Sequence, residues 1–186
     1  GYLTPGTHRS DKTRVKFGPG GRDDVSGSGA YTHMTLLAKD NVGMHNLFRL
    51  CSLASLEGYY FKPRMDRELL QTYGNGLIAT TGCPSGEVQT RLRLGQYDEA
   101  IQAASDYRDI FGAENYYCEL MDHGLDIERR IQKDLLRLAR TLDLPLVATN
   151  DLHYTKAADA TAHAALLCVQ SGSTLMDPNR FKFDAE

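Results

Sequence analysis

Between residues 31 and 170 of this 186-residue chain, short apolar segments alternate with longer segments whose apolar residues recur at helical spacing. Most of the short segments are apolar throughout, which is typical of strands covered on both faces. The alternation predicts an α/β protein with a parallel sheet or barrel. The predicted strands are 31–37, 76–81, 116–121 and 144–149. The predicted helices are 44–56, 65–73, 86–94, 98–111, 157–170 and one that is capped by Asp126 and extends to 141.

The first 30 residues are polar and rich in glycine, so we interpret 1–30 as mostly a surface loop. The chain is long enough for one domain with a buried core. No apolar run reaches the length needed to cross a bilayer, so we predict a cytoplasmic protein with no membrane partner. Its cysteines lack a paired spacing and are expected to be free thiols: Cys51, Cys83, Cys118 and Cys168.

The formal net charge of −3 argues against a chain that binds nucleic acid through its overall charge. Contact with DNA would instead need local basic patches, or metal ions that face the phosphates.

Chemically capable side chains follow three of the predicted strands. Cys83 comes after 76–81, the segment 119–123 ends the third strand, and Asp151 and His153 follow the fourth. Active sites of parallel α/β folds assemble at this carboxyl edge. In extended chain, Asp151 and His153 point to the same side. A carboxylate, two imidazoles and a thiolate suit zinc or a similar divalent ion, with His33 on the first strand as the second imidazole.

Each of these residues also has an ordinary structural explanation. A cysteine after an apolar strand, such as Cys83, is commonly a small buried side chain. A strand histidine such as His33 is commonly hydrogen-bonded within the core. The pair Asp151 and His153 is more specific, because two polar groups on one buried face need a compensating partner. Their combination at one edge favours a metal site, and the chain contains neither a nucleophile elbow nor a phosphate-binding Gly-x-x-x-x-Gly-Lys loop.

Several runs of the sequence resemble the alpha subunits of actinobacterial DNA polymerase III. These runs are 23–29, 81–89, 119–124, 148–154 and 177–183. The similarity extends from about residue 23 to residue 184 in both order and spacing, whereas 1–22 match poorly. The chain therefore resembles the later part of the PHP (polymerase and histidinol phosphatase) domain of that family. We expect 1–186 to belong to a single PHP domain within a longer polymerase chain, in keeping with the lack of an initial methionine.

The resemblance implies a partial, distorted (β/α)7 barrel of PHP type that lacks its N-terminal strands. It implies metal ligands at His33, Cys83, Asp151 and His153, of which the last two are also catalytic. Glu119 and His123 are expected to contact either the ligands or the substrate. The cofactor would be a cluster of divalent ions (zinc, or manganese or iron). That cluster would be incomplete here, because the opening His-x-His motif of the family is not in this sequence.

The function implied by the resemblance is that of a DNA-directed DNA polymerase whose PHP domain is a metal-dependent 3′→5′ proofreading exonuclease. The partners would be the 3′ end of DNA, the rest of the polymerase chain, the sliding clamp and other replisome subunits. We expect this stretch alone to bind metal weakly and to be inactive.

Three alternatives remain open at this point. The domain could brace the polymerase without cutting DNA. It could be a phosphatase of the PHP family, although the runs 82–89 and 177–183 argue against that reading. It could also be a protein-binding module, which basic clusters that bind duplex DNA without metal would favour.

Overall fold

The computed structural model describes residues 1–19 and 25–182, which form two structural units. The first unit spans Gly1–Thr149 and contains every strand of the described residues, and the second spans Asn150–Glu186. Residues 23, 24, 183 and 184, which belong to the similar region identified above, lie outside the described residues. None of the described helices is long and apolar enough to cross a membrane.

The strands of the first unit form two sheets. One has the order β2-β1-β4, with β1 antiparallel to β2 and parallel to β4. The other has the order β3-β5-β6-β7, with β5, β6 and β7 parallel and β3 antiparallel at its edge. The strands are β1 Tyr2–Leu3, β2 Thr32–His33, β3 Leu36–Ala38, β4 Arg64–Met65, β5 Leu77–Thr80, β6 Tyr116–Leu120 and β7 Leu146–Ala148.

The helices begin and end close to their predicted bounds. In α6, buried Ile131, Leu135 and Leu138 recur at helical spacing, as predicted, and so form its inward face. The helices are α1 Ser26–Gly29 (a single turn), α2 Asn41–Glu57, α3 Arg67–Tyr73, α4 Glu87–Arg93, α5 Tyr97–Phe111, α6 Asp126–Thr141 and, after a 3₁₀ turn at Ala157–Asp159, α7 Ala160–Ser171.

Two local predictions were wrong. The predicted strand 31–37 is two short strands in different sheets, because the chain leaves β1 after β2 and then pairs with β5. Residue periodicity reports which face is buried and not which neighbour a strand has. Asp126 is the first helical residue of α6 and not its cap, since Leu125 occupies the cap position without a side-chain hydrogen bond.

The predicted parallel α/β arrangement is confirmed for β5, β6 and β7, but the predicted barrel is not. Both sheets formed by the described residues are open, and each contains an antiparallel pair. Leu77 and Ala79 of β5 and Tyr116 of β6 are fully buried, whereas β7 is partly exposed, with Leu146 52% exposed. The carboxyl ends of these three strands therefore meet at one edge of the second sheet.

A buried guanidinium fastens the long N-terminal segment to the first sheet. Arg64 of β4 is 1% exposed and donates to the carbonyl oxygens of Gly58, Ala30, Arg9 and Asp11 at 2.8–3.0 Å. Burial lowers the pKa of Arg64, because a charge is less stable away from water. Arg64 thus binds the loop predicted for the first 30 residues through the backbone carbonyl oxygens of that loop.

We expect Arg64→Met to lower the free energy of unfolding by about 3 kcal/mol or more, because several buried carbonyl oxygens would lose their donor. Urea unfolding of the chain measures this change. The exposed Arg49 of α2 provides the control, since Arg49→Met should change stability by less than about 0.5 kcal/mol. Equal effects of the two substitutions would contradict the role given to Arg64.

Candidate metal centre

The fold brings His33 and Cys83 together. His33 ends β2, Cys83 lies in the turn after β5, and Nδ1 of His33 is 3.9 Å from Sγ of Cys83. The backbone N–H of His33 donates to the carbonyl oxygen of Ser85 at 3.1 Å, which fixes the two segments side by side. Gly82 has φ +84°, and a β-carbon there would lie 3.1 Å from the carbonyl oxygen of His33. The close approach of the two chains therefore favours glycine at this position.

Buried hydrogen bonds hold the turn that carries Cys83. The amide nitrogen of Gln89, on α4, donates to the carbonyl oxygen of Gly82 at 2.6 Å and to Oγ1 of Thr81 at 3.0 Å. The backbone N–H of Gly86 donates to the carbonyl oxygen of Cys83 at 2.7 Å. Because both ends of the turn are bonded, the thiol has a defined position before any ligand arrives.

Glu119 connects the carboxyl ends of the three parallel strands. It lies on β6, is 6% exposed, and accepts hydrogen bonds from Oγ1 of Thr80 at 2.5 Å and Oγ1 of Thr149 at 2.6 Å. Oγ1 of Thr80 also accepts from the backbone N–H of Gly82 at 3.2 Å. Thr149 directly follows β7 and precedes Asp151 by two residues. One carboxylate thus contacts the start of both segments that carry predicted ligands.

His123 is oriented by a carboxylate that the sequence analysis missed. Glu128, in the first turn of α6, accepts from the backbone N–H of His123 at 2.8 Å and lies 2.6 Å from its Nδ1. Glu128 is only 7% exposed, so this pair is shielded from water on the carboxylate side. A carboxylate behind an imidazole fixes its tautomer and raises its basicity. The sequence does contain a signal for this contact. An acidic residue at the third position of a helix can accept a hydrogen bond from a backbone N–H just before the helix.

The second unit contains Asp151 and His153. Nδ1 of His153 lies 2.7 Å from the carbonyl oxygen of Asp151, and its ring is 5.8 Å from the ring of His163 on α7. Asp151 has φ +44°, so the argument that both side chains share one side of an extended chain does not hold. The chain turns here because Asp and Asn tolerate the left-handed region better than most residues.

Among the described residues, a single group of three side chains has the composition and spacing of a metal site, and it contains none of the predicted ligands. One ligand atom each from His8, Asp66 and Glu68 lies within 4.8 Å of the others. However, Arg9 donates to Asp66 through its backbone N–H at 2.8 Å and its guanidinium at 3.0 Å, and Asp66 also caps α3 through Leu69. A cation would have to displace a positive charge that is already bound. We interpret the group as an ion-pair network.

Comparison with known proteins places these features in a family. Residues 6–123 match the PHP domain. The chain is 66% identical over 195 residues to the DNA polymerase III subunit alpha of Saccharopolyspora erythraea and 55% identical over 188 residues to that of Mycobacterium tuberculosis. It is 44% identical over 186 residues to the corresponding subunit of Deinococcus radiodurans. In each case all of this chain is covered, but it spans only 16%, 16% and 13% of the relative's length.

We expect the network around Asp66 to make stability depend on acid pH. Burial alone raises the pKa of this carboxyl, but the amides of Leu69 and Arg9 and the Arg9 guanidinium outweigh it, so the pKa lies below the ordinary value. The contribution to stability is therefore full above the unfolded pKa of about 3.9 and is lost as the pH falls through the lower folded pKa.

Asp66→Asn should lower the free energy of unfolding by about 1–2 kcal/mol at neutral pH, because the buried charge that pairs with Arg9 is lost while asparagine can still cap α3. The difference from the wild type should shrink below a pH of about 4. Urea titrations across pH measure it, with Asp109→Asn on the exposed face of α5 as the control. A difference that stays constant with pH would contradict this account.

Proposed function

Because the chain belongs to the PHP domain family, within the alpha subunits of bacterial DNA polymerase III, we propose that it is the later part of a metal-dependent 3′→5′ exonuclease domain that is active only in the full-length polypeptide. In this proposal it removes nucleotides from the 3′ end of DNA for a DNA-directed DNA polymerase. It acts together with the rest of the polymerase chain, the sliding clamp and other replisome subunits. The observation that carries the proposal is the contact of His33 with Cys83 in a turn fastened by buried hydrogen bonds.

The donor set fits divalent ions. A thiolate beside an imidazole suits zinc, while carboxylate and imidazole together suit zinc, manganese or iron. We assign His33 and Cys83 to one ion, and Asp151 and His153 to another. Bound there, divalent ions supply a water of lowered pKa and offset the negative charge of the scissile phosphate.

The protein's own contribution is to position these donors. Cys83 and His33 would hold one ion between them, because the hydrogen bond from the backbone of β2 to the turn keeps Sγ and Nδ1 beside each other. We assign His123, whose Nδ1 lies 2.6 Å from Glu128, to contact either a ligand or the substrate. Glu119 acts as a positioning residue, because its two bonded threonines precede the segments that carry Cys83 and Asp151.

The proposal predicts that the full-length polypeptide digests a single-stranded, 5′-labelled oligonucleotide from its 3′ end. Asp151→Asn should slow digestion at least about a hundredfold, because a ligand is lost, and should leave polymerase activity intact. Asp143→Asn is the matched control, since Asp143 is also exposed and has φ +51°, so both substitutions place asparagine in left-handed backbone.

Digestion by the wild type that persists in the Asp151→Asn variant would remove Asp151 from the site. No digestion by either, with polymerization unaffected, would contradict the exonuclease proposal. The domain would then be a structural brace of the polymerase.

The role of Glu119 can be tested through Thr149. Thr149→Val removes the hydroxyl but keeps the shape, so we expect metal affinity to fall about tenfold, as for other residues that orient ligands. Cobalt titration followed by visible absorption measures this affinity without relying on hydrolysis. Thr149→Ser should restore the wild-type value, because serine retains the donor to Glu119.

Thr141→Val is the control for this series, since the exposed Thr141 of α6 bonds only within its own helix. Equal cobalt affinity of the Thr149→Val variant and the wild type would show that Glu119 does not position ligands.

A further inference from the structure

Two groups of aromatic rings lie between an exposed turn and His33, with Arg64 and Lys62 between the groups. We call them together the aromatic path: Phe61 and Tyr60 form its outer group, and Tyr2, Tyr31 and His33 form its inner group. The rings of Phe61 and Tyr60 are 4.6 Å apart, those of Tyr2 and Tyr31 are 5.1 Å apart, and that of His33 is 5.0 Å from Tyr2. The rings of Tyr31 and His33 are stacked, with 11° between their planes.

Strand pairing explains how the inner part of the path forms. Tyr2 of β1 lies opposite His33 of β2 and opposite Arg64 of β4, so these side chains share one face of the first sheet. Arg64 lies 5.0 Å from the ring centroid of Tyr60, and the backbones of Tyr60 and Lys62 are bridged. The turn Tyr60–Lys62, with Phe61 at its centre, therefore packs directly against the sheet that carries His33.

The outer end of the path is an exposed ring on an unfavourable backbone. Phe61 has φ +61° and is 56% exposed. The left-handed region is rarely occupied by bulky residues. Burial of the ring does not explain the conformation, because most of the ring faces solvent. Backbone outliers of this kind concentrate at sites that contact ligands.

Cations are interleaved with the rings. The guanidinium of Arg14 lies 4.9 Å from the ring centroid of Phe61, and the ammonium of Lys62 lies 5.5 Å from that of Tyr2. Within the described residues, neither cation forms an ion pair with a carboxylate, in contrast to Arg9 and Arg67. The path thus carries local positive charge on a chain whose formal net charge is −3.

We infer that the aromatic path binds the unpaired 3′ segment of a single DNA strand, an inference that rests on the proposed function. Bases stack on Phe61 and on the tyrosines, while Arg14 and Lys62 contact phosphates. Bases in a duplex are stacked on one another and cannot offer their faces to these rings. The path ends at His33, so a strand that follows it reaches the contact between His33 and Cys83 with its terminal phosphodiester.

The inference is tested by photocrosslinking, which does not require hydrolysis. The full-length polypeptide with Asp151→Asn is irradiated with a single-stranded oligonucleotide that carries 5-iododeoxyuridine near its 3′ end, and crosslinked peptides are identified by mass spectrometry. Crosslinks are expected at Phe61, Tyr60, Tyr2 or Tyr31. Phe61→Ala should reduce the yield at this site about tenfold, because base–aromatic stacking is lost.

Phe48→Ala is the matched control, since Phe48 on α2 is 60% exposed and outside the path. In the enzyme with intact Asp151, Phe61→Ala and Lys62→Ala should raise the KM for single-stranded DNA about tenfold, with kcat changed less than about twofold. Lys62→Ala should also reduce the slope of log KM against the logarithm of the salt concentration by about 0.7. That is the value for one phosphate contact on a single strand.

Crosslinks in the path without digestion would support the inference and overturn the proposed exonuclease. Digestion with crosslinks only outside the path, and a KM unchanged by Phe61→Ala, would overturn the inference alone. Crosslinks that are equal for the Phe61→Ala and Phe48→Ala variants would overturn it as well. So would a replisome protein that occupies the path and excludes the oligonucleotide.

Discussion

The buried guanidinium of Arg64 is the interaction on which the first sheet and the N-terminal segment depend. Its N–H groups donate hydrogen bonds to the carbonyl oxygens of Gly58, Ala30, Arg9 and Asp11. These residues belong to three separate stretches of the chain. The charge is costly to bury, and its lowered pKa reflects that cost. The hydrogen bonds to the carbonyl oxygens offset this cost, because buried carbonyl groups also need donors. One side chain thus orders a segment that has little regular secondary structure.

A second set of buried polar groups performs the corresponding task in the larger sheet. Parallel strands β5, β6 and β7 end at one edge, where their backbone groups leave the sheet and need other partners. The hydroxyls of Thr80 and Thr81 accept from the backbone N–H groups of Gly82 and Glu119, and Gln89 donates to the carbonyl oxygen of Gly82. The carboxylate of Glu119 in turn accepts from the hydroxyls of Thr80 and Thr149. The same bonds that complete the sheet also place the turn containing Cys83. Stability and the geometry of the candidate site therefore have a common physical origin.

The parts of the fold that could be predicted are those with a local cause. The helix Asp126–Thr141 ends as predicted and begins within one residue of its predicted start, because its apolar residues recur at helical spacing over four turns. The strand predicted at 31–37 is divided between two sheets, since strand partners are chosen by distant residues. Cys83 was recognized as a candidate ligand from its position after an apolar strand. Glu128 was not recognized, because its partner His123 lies outside the helix and is reached only through a turn.

The sequence by itself determined the alternation of strands and helices, the chemical types of the candidate ligands and the membership of the PHP family. These follow from residue type, order and spacing, which act locally or can be compared directly. Only the tertiary structure decided that His33 contacts Cys83 and that the ring of Tyr2 joins His33 to the turn of Phe61. Such contacts join residues some 30 to 60 positions apart in sequence. They exist only because strand pairing and burial of the core compensate the loss of chain entropy that brings such distant segments together.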